Sequence, residues 1–161
     1  LLIIPFSILS QVIAPEITGL KSNKNTSEIL KKYKEYILFS FFGGIIIALI
    51  TFIITPIILK YFLISYYNPI TIKILNLLLI ILISQCVSTI ASVGFSTASG
   101  HARFNMYFLL IFGIINVPLS MILINLLGFI GIIYSTMIIK GLADIIFVFY
   151  YYNVLKNETK K

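Results

Sequence analysis

Lys140 and Asp144 are the only charged residues in the otherwise apolar run from Phe129 to Tyr150. Four residues apart on a helix they are neighbours on one face, and Thr136, one turn earlier, extends the same line. A charge deep in such a run is costly, and it faces a bundle interior or a water-filled cavity rather than lipid. An intramembrane pair of this kind facing a polar interior is a candidate functional site. The competing reading is a self-neutralising structural pair, although burying even a paired couple is costly.

The other polar positions inside apolar runs also follow helical spacing. Ser84, Ser88, Ser92 and Ser96 recur every fourth residue, with Gln85 and Thr89 alongside. On an ideal helix that stripe drifts by about 40° per step and makes a slowly winding seam. Small residues let helices approach closely, so the stripe is either a packing seam or the wall of a hydrated cavity, with Gln85 the member that packing explains least. Ser7, Gln11 and Thr18 share a side of the first run, and Gly113, Asn116 and Ser120 share one later in the chain. Gln11, Gln85, Ser88 and Asn116 therefore join Thr136, Lys140 and Asp144 as candidate cavity or substrate residues. Glu16, next to Pro15, is either a coupling-ion carboxylate or an interfacial charge. His101 and Arg103 stand in a short connection and read as topology signals.

One cysteine, Cys86, excludes an internal disulfide, and one histidine excludes a multi-histidine metal site. Four of the five acids lie at or outside the ends of the apolar runs, leaving no nucleophile with its base. The sequence thus reads as neither an enzyme nor a metal or cofactor protein. A net charge of +7 would suggest nucleic acid in a soluble protein, but here the basic residues punctuate apolar runs and act as topology signals instead.

The elements that must position these residues are set by composition. The 161 residues are 60% hydrophobic and 11% charged, with 35 isoleucines and a mean hydropathy of +1.08, far from a soluble domain. The runs are too long and too uniformly apolar for barrel strands, and the bilayer leaves helices as the alternative. The expected fold is an all-α, multi-pass transmembrane bundle of about five spans, near residues 1–20, 37–59, 74–98, 106–127 and 129–150. The first apolar block, Leu1 to Ala14, is short of the roughly 20 residues a span needs. It reads as a truncated span of a fragment, with extension through Pro15 to Leu20 as the alternative. Pro5, Pro15, Pro56 and Pro118 are expected to bend or interrupt helices.

Segment 21–35 is expected to be a cytoplasmic loop, or a short amphipathic helix with Ile29, Leu30 and Tyr33 on one side, lying on anionic lipid. Residues 151–161 are expected to form a cytoplasmic tail. Lys21, Lys24, Lys31, Lys32, Lys34, Arg103, Lys156, Lys160 and Lys161 fall on one side, against Lys60 and Lys73 on the other. The excess marks the cytoplasmic side and puts the C-terminus there, in a cytoplasmic membrane. In the absence of tryptophan, tyrosines including Tyr33 and Tyr151 are expected to anchor the interfaces.

Four features in order carry a resemblance to a known family: Pro15 before a basic loop, Ala98-Ser99-Gly100-His101-Ala102-Arg103, Asn116-Val117-Pro118-Leu119-Ser120, and Gly128-Phe129-Ile130-Gly131 leading to Ser135-Thr136. This order resembles the C-terminal part of polysaccharide flippases, in the superfamily that also holds multidrug/toxin extruders and the lipid II flippase. The resemblance implies two pseudo-symmetric bundles around a central cavity, of which this chain would be the C-terminal half. It implies translocation of a polyprenyl-pyrophosphate-linked oligosaccharide for surface polysaccharide synthesis, with Lys140 able to hold the pyrophosphate. Implied partners are that lipid-linked substrate, membrane lipid, a polysaccharide polymerase and glycosyltransferases. A drug/cation antiporter of the same superfamily and a non-transporting membrane scaffold or remnant are the rival readings.

Overall fold

Asn25 starts the longest helix. Its side-chain oxygen accepts the backbone N–H of Glu28 at 3.4 Å, and its amide donates to the Glu28 carboxylate at 2.6 Å, so cap and third helical residue satisfy each other. From there α2 (Thr26–Phe62) runs unbroken for 37 residues. In the computed structural model, which describes residues 2–159, it follows α1 (Ile4–Ser22) and precedes a short 3-10 turn, Ile64–Tyr66. Then come α3 (Pro69–Thr89), which continues without a break as a π-helical stretch (Ile90–Thr97), α4 (Ala102–Leu127) and α5 (Ile130–Glu158). Among the described residues four helices are long and apolar enough to cross a membrane: α2, α3 with its π-helical continuation, α4 and α5. The chain is an all-α, multi-pass membrane bundle.

Several expected boundaries move. Segment 21–35 is not a loop: only Asn23 to Asn25 connects α1 to α2, and Ile29 and Tyr33 are buried on the inner side of α2. Residues 151–158 are not a tail but the last turns of α5, held by the burial of Tyr151 and Leu155. Lys160 and Lys161, like Leu1, lie outside the described residues. Pro15 does not end α1. The bond that its ring removes would have gone to the carbonyl of Gln11, and both residues are exposed, so the helix continues through the gap. Pro5 sits in the first turn of α1, where no donor is needed, and Pro56 and Pro118 lie inside helices that run on past them.

The core sits toward the end of the bundle where α1 stops and α5 stops. Tyr33 meets Phe95 edge-on at 5.2 Å and Tyr151 at 5.5 Å, all three fully buried. The Tyr33 hydroxyl donates to the Val148 carbonyl at 2.8 Å, and that of Tyr151 lies 3.2 Å from the Phe95 carbonyl and against the Ser99 hydroxyl. These two tyrosines are therefore core residues and not interfacial anchors; each buried hydroxyl has a partner, which makes its burial affordable.

The helix α1 docks along the π-helical stretch. Ser10 reaches the carbonyl of Thr89, the last α-helical residue, at 3.3 Å, and Thr18 reaches that of Ala98 at 3.2 Å. Both ends of the stretch, where backbone pairing changes register, thus receive a hydroxyl from α1. Between α4 and α5, Gly128 turns the chain at φ +65°, and a Cβ on Gly131 would overlap the Leu123 carbonyl. Glycine at these two positions lets the two helices fold into a tight hairpin.

Candidate functional site

The hairpin and α3 together leave a cleft of about 300 Å³. Ser88, Thr89 and Ser92 line it from α3 and its continuation, Asn105, Phe108, Phe112 and Asn116 from α4, and Thr136, Lys140, Asp144 and Phe147 from α5. Five of the seven residues singled out in the sequence converge here: Ser88, Asn116, Thr136, Lys140 and Asp144. Gln85 lies on α3 beside the cleft without lining it, its carbonyl accepting from Thr89 at 2.7 Å. Gln11 is exposed on α1, away from the cleft.

Position on α5 follows from its two unlike sides. Gly131 and Ser135 are buried against α4, where the Ser135 and Ser120 hydroxyls pair. Thr136, Lys140 and Asp144 lie about 150° away around the helix and so turn toward the cleft. Lys140 is the eleventh of 29 residues in α5, roughly 15 Å from its start at the helical rise and midway along the apolar run from Phe129 to Tyr150.

The two charges differ in environment. The Asp144 side chain is 8% exposed and that of Lys140 is 37% exposed, open to the cleft. Lys140 Nζ lies 3.3 Å from Asp144 Oδ1, while the Ser84 hydroxyl lies 3.0 Å from Asp144 Oδ2. The carboxylate therefore has one oxygen for each neighbour and ties α3 to α5. Asp144 also borders an apolar groove on the other side, with Phe41, Val87 and Met137, so it stands in the wall between the two hollows.

The serine stripe divides between helix packing and the cleft wall. Ser84 joins helices through Asp144, Ser88 and Ser92 line the cleft, and Ser96 is fully buried with no hydrogen-bond partner for its hydroxyl. Asn105 and the aromatic wall were not anticipated. Asn105, Phe108, Phe112 and Asn116 are separated by three, four and four residues, a helical face that the uniform hydrophobicity of α4 disguised.

A second polar cluster closes the far end of the bundle. Lys21 of α1 pairs with Glu158 of α5 at 2.6 Å, and His101 Nε2 lies 3.6 Å from the other oxygen of the same carboxylate. Glu16 pairs with Lys32 at the surface. Among the described residues no three His, Cys, Asp or Glu side chains gather as a metal site would require. No protein-family model, curated protein or solved structure matches the chain.

Proposed function

We propose that this chain belongs to a membrane transporter that carries an anion-bearing, lipid-linked oligosaccharide across the cytoplasmic membrane, as the C-terminal bundle of a polysaccharide flippase. The observation that carries this reading is the convergence of Lys140, Thr136, Ser88 and Asn116 on one cleft beside the middle of the apolar run of α5. Such a cleft lowers the barrier for a charged, sugar-bearing headgroup by replacing its water with hydroxyls, amides and an ammonium, and the lipid tail stays in hydrocarbon. It makes and breaks no covalent bond. Phe108, Phe112 and Phe147 beside the polar groups supply apolar faces for the rest of such an amphiphile.

Sidedness follows from charge. Lys21, Lys24, Lys31, Lys32, Lys34, Arg103 and Lys156 gather at the end of the bundle where α5 stops, and Lys60 and Lys73 at the other. The positive-inside rule makes the first end cytoplasmic. The rival scaffold reading draws on one observation, the Lys140–Asp144 ion pair, which satisfies both charges without a ligand. A drug/cation antiporter would lean on Asp144 instead.

The test is complementation of a strain lacking its polysaccharide flippase, with the gene extended upstream and with the 161-residue chain alone. Restored surface polysaccharide with the extended gene supports the reading. Normal membrane insertion of both without restoration sinks it.

A further inference from the structure

Asp144 occupies the lysine that the proposed function needs for its substrate. The carboxylate is nearly buried, with the Ser84 hydroxyl, whose one proton it shares with the Ile81 carbonyl at 2.9 Å, lying 3.0 Å away on one side and Lys140 3.3 Å away on the other. Lys140 is the more exposed partner and its ammonium borders the cleft. The contact to Asp144 uses one of the three donors of Lys140, and the remaining two are available to an incoming anion.

We infer that Asp144 is a built-in counter-ion, a competitor that an anionic headgroup displaces from Lys140, and that Ser84 is the positioning residue that sets how strongly it competes. This inference rests on the reading of the cleft as a site for a phosphate-bearing lipid. Two opposing consequences follow from the geometry. Removing the charge of Asp144 frees Lys140 and strengthens its hold on an anion. Removing the Ser84 hydroxyl does the reverse: the carboxylate loses the bond that draws charge to Oδ2 and pins it to α3, and both oxygens become free to close on Lys140. The resting pair keeps an uncompensated ammonium out of the membrane interior, and it makes binding an exchange of one anion for another. An exchange of this kind discriminates against neutral lipids, which cannot repay Lys140 for the lost carboxylate, and it leaves the headgroup held loosely enough to be released.

The test uses the full chain in phosphatidylcholine nanodiscs and radiolabelled farnesyl pyrophosphate, a pyrophosphate on an isoprenoid tail, with unlabelled farnesol to subtract binding through the tail. Asp144→Asn, which keeps the shape and the Ser84 contact, is expected to bind about fivefold more tightly than wild type. Ser84→Ala is expected to bind about threefold more weakly. Lys140→Ala loses the farnesol-insensitive binding, and adding Asp144→Asn to it changes nothing. If Lys140→Ala weakens binding but Asp144→Asn equals wild type or falls below it, Asp144 positions the lysine and this inference is wrong, while the substrate reading stands. If Lys140→Ala binds like wild type, the substrate reading falls and takes this inference with it. Should Asp144→Asn fail to insert, Ser84→Ala decides, and unchanged or tighter binding overturns the proposal.

Discussion

Lys21, at the end of α1, and Glu158, at the end of α5, are joined at 2.6 Å across 137 residues of sequence. Each is about a third exposed, so the pair closes the rim of the bundle more than it stabilises the core. Reversing one charge, Lys21→Glu or Glu158→Lys, is expected to cost about 1 kcal/mol or less, and reversing both to recover most of it. Thermal unfolding of the four proteins in detergent checks this. Full additivity of the two losses would show that the side chains do not meet in the membrane.

Gly131 and Gly141 stand on the same helix with opposite demands on space. A Cβ at Gly131 meets the backbone of Leu123, which cannot yield without moving α4, whereas nothing lies within 4 Å of one at Gly141. Gly131→Ala is expected to cost on the order of 2 kcal/mol and to lower membrane abundance. Gly141→Ala is expected to be neutral or slightly stabilising through helix propensity. Quantitative blotting of membrane fractions with a thermal shift separates them, and equal behaviour would show that the α4–α5 hairpin is looser than drawn here.

The polar side of α5 was legible in the sequence, because Thr136, Lys140 and Asp144 line one face of a run with no other charge. Membrane helices are read by apolar length, and that signal falls silent where a helix leaves the bilayer. Hence residues 26–35 read as a loop or at most a short amphipathic helix, and 151–158 as a tail, although both are continuous parts of the long helices α2 and α5. The π-helical stretch Ile90–Thr97 left no trace in the sequence that we can point to; its serines keep the same four-residue spacing on both sides of the change in register. Ser84 was visible as one member of a stripe. Only the packing of α3 on α5 singles it out as the partner of Asp144.

The end bearing Lys24 and the end bearing Tyr66 must lie on opposite sides of the membrane if the charge count sets the topology. In a Cys86→Ser background, cysteines placed one at a time at these exposed positions report this directly. A membrane-impermeant maleimide applied to intact cells is expected to label Tyr66→Cys and to spare Lys24→Cys until the cells are broken. Labelling in the reverse order would invert the topology and move the basic rim outside.

The claim on which the functional account stands is that the Lys140 ammonium, open to the cleft, grips the transported headgroup. The most direct measurement is surface polysaccharide restored by the extended gene carrying Lys140→Ala, set against the membrane abundance of the same protein. The account predicts restoration reduced by tenfold or more at wild-type abundance, with Lys140→Arg keeping part of it, since removing a hydrogen-bonded charge contact to an anion costs ~2 kcal/mol. Restoration in proportion to abundance, whether both stay high or both fall together, would contradict it and leave Lys140 and Asp144 as a structural pair.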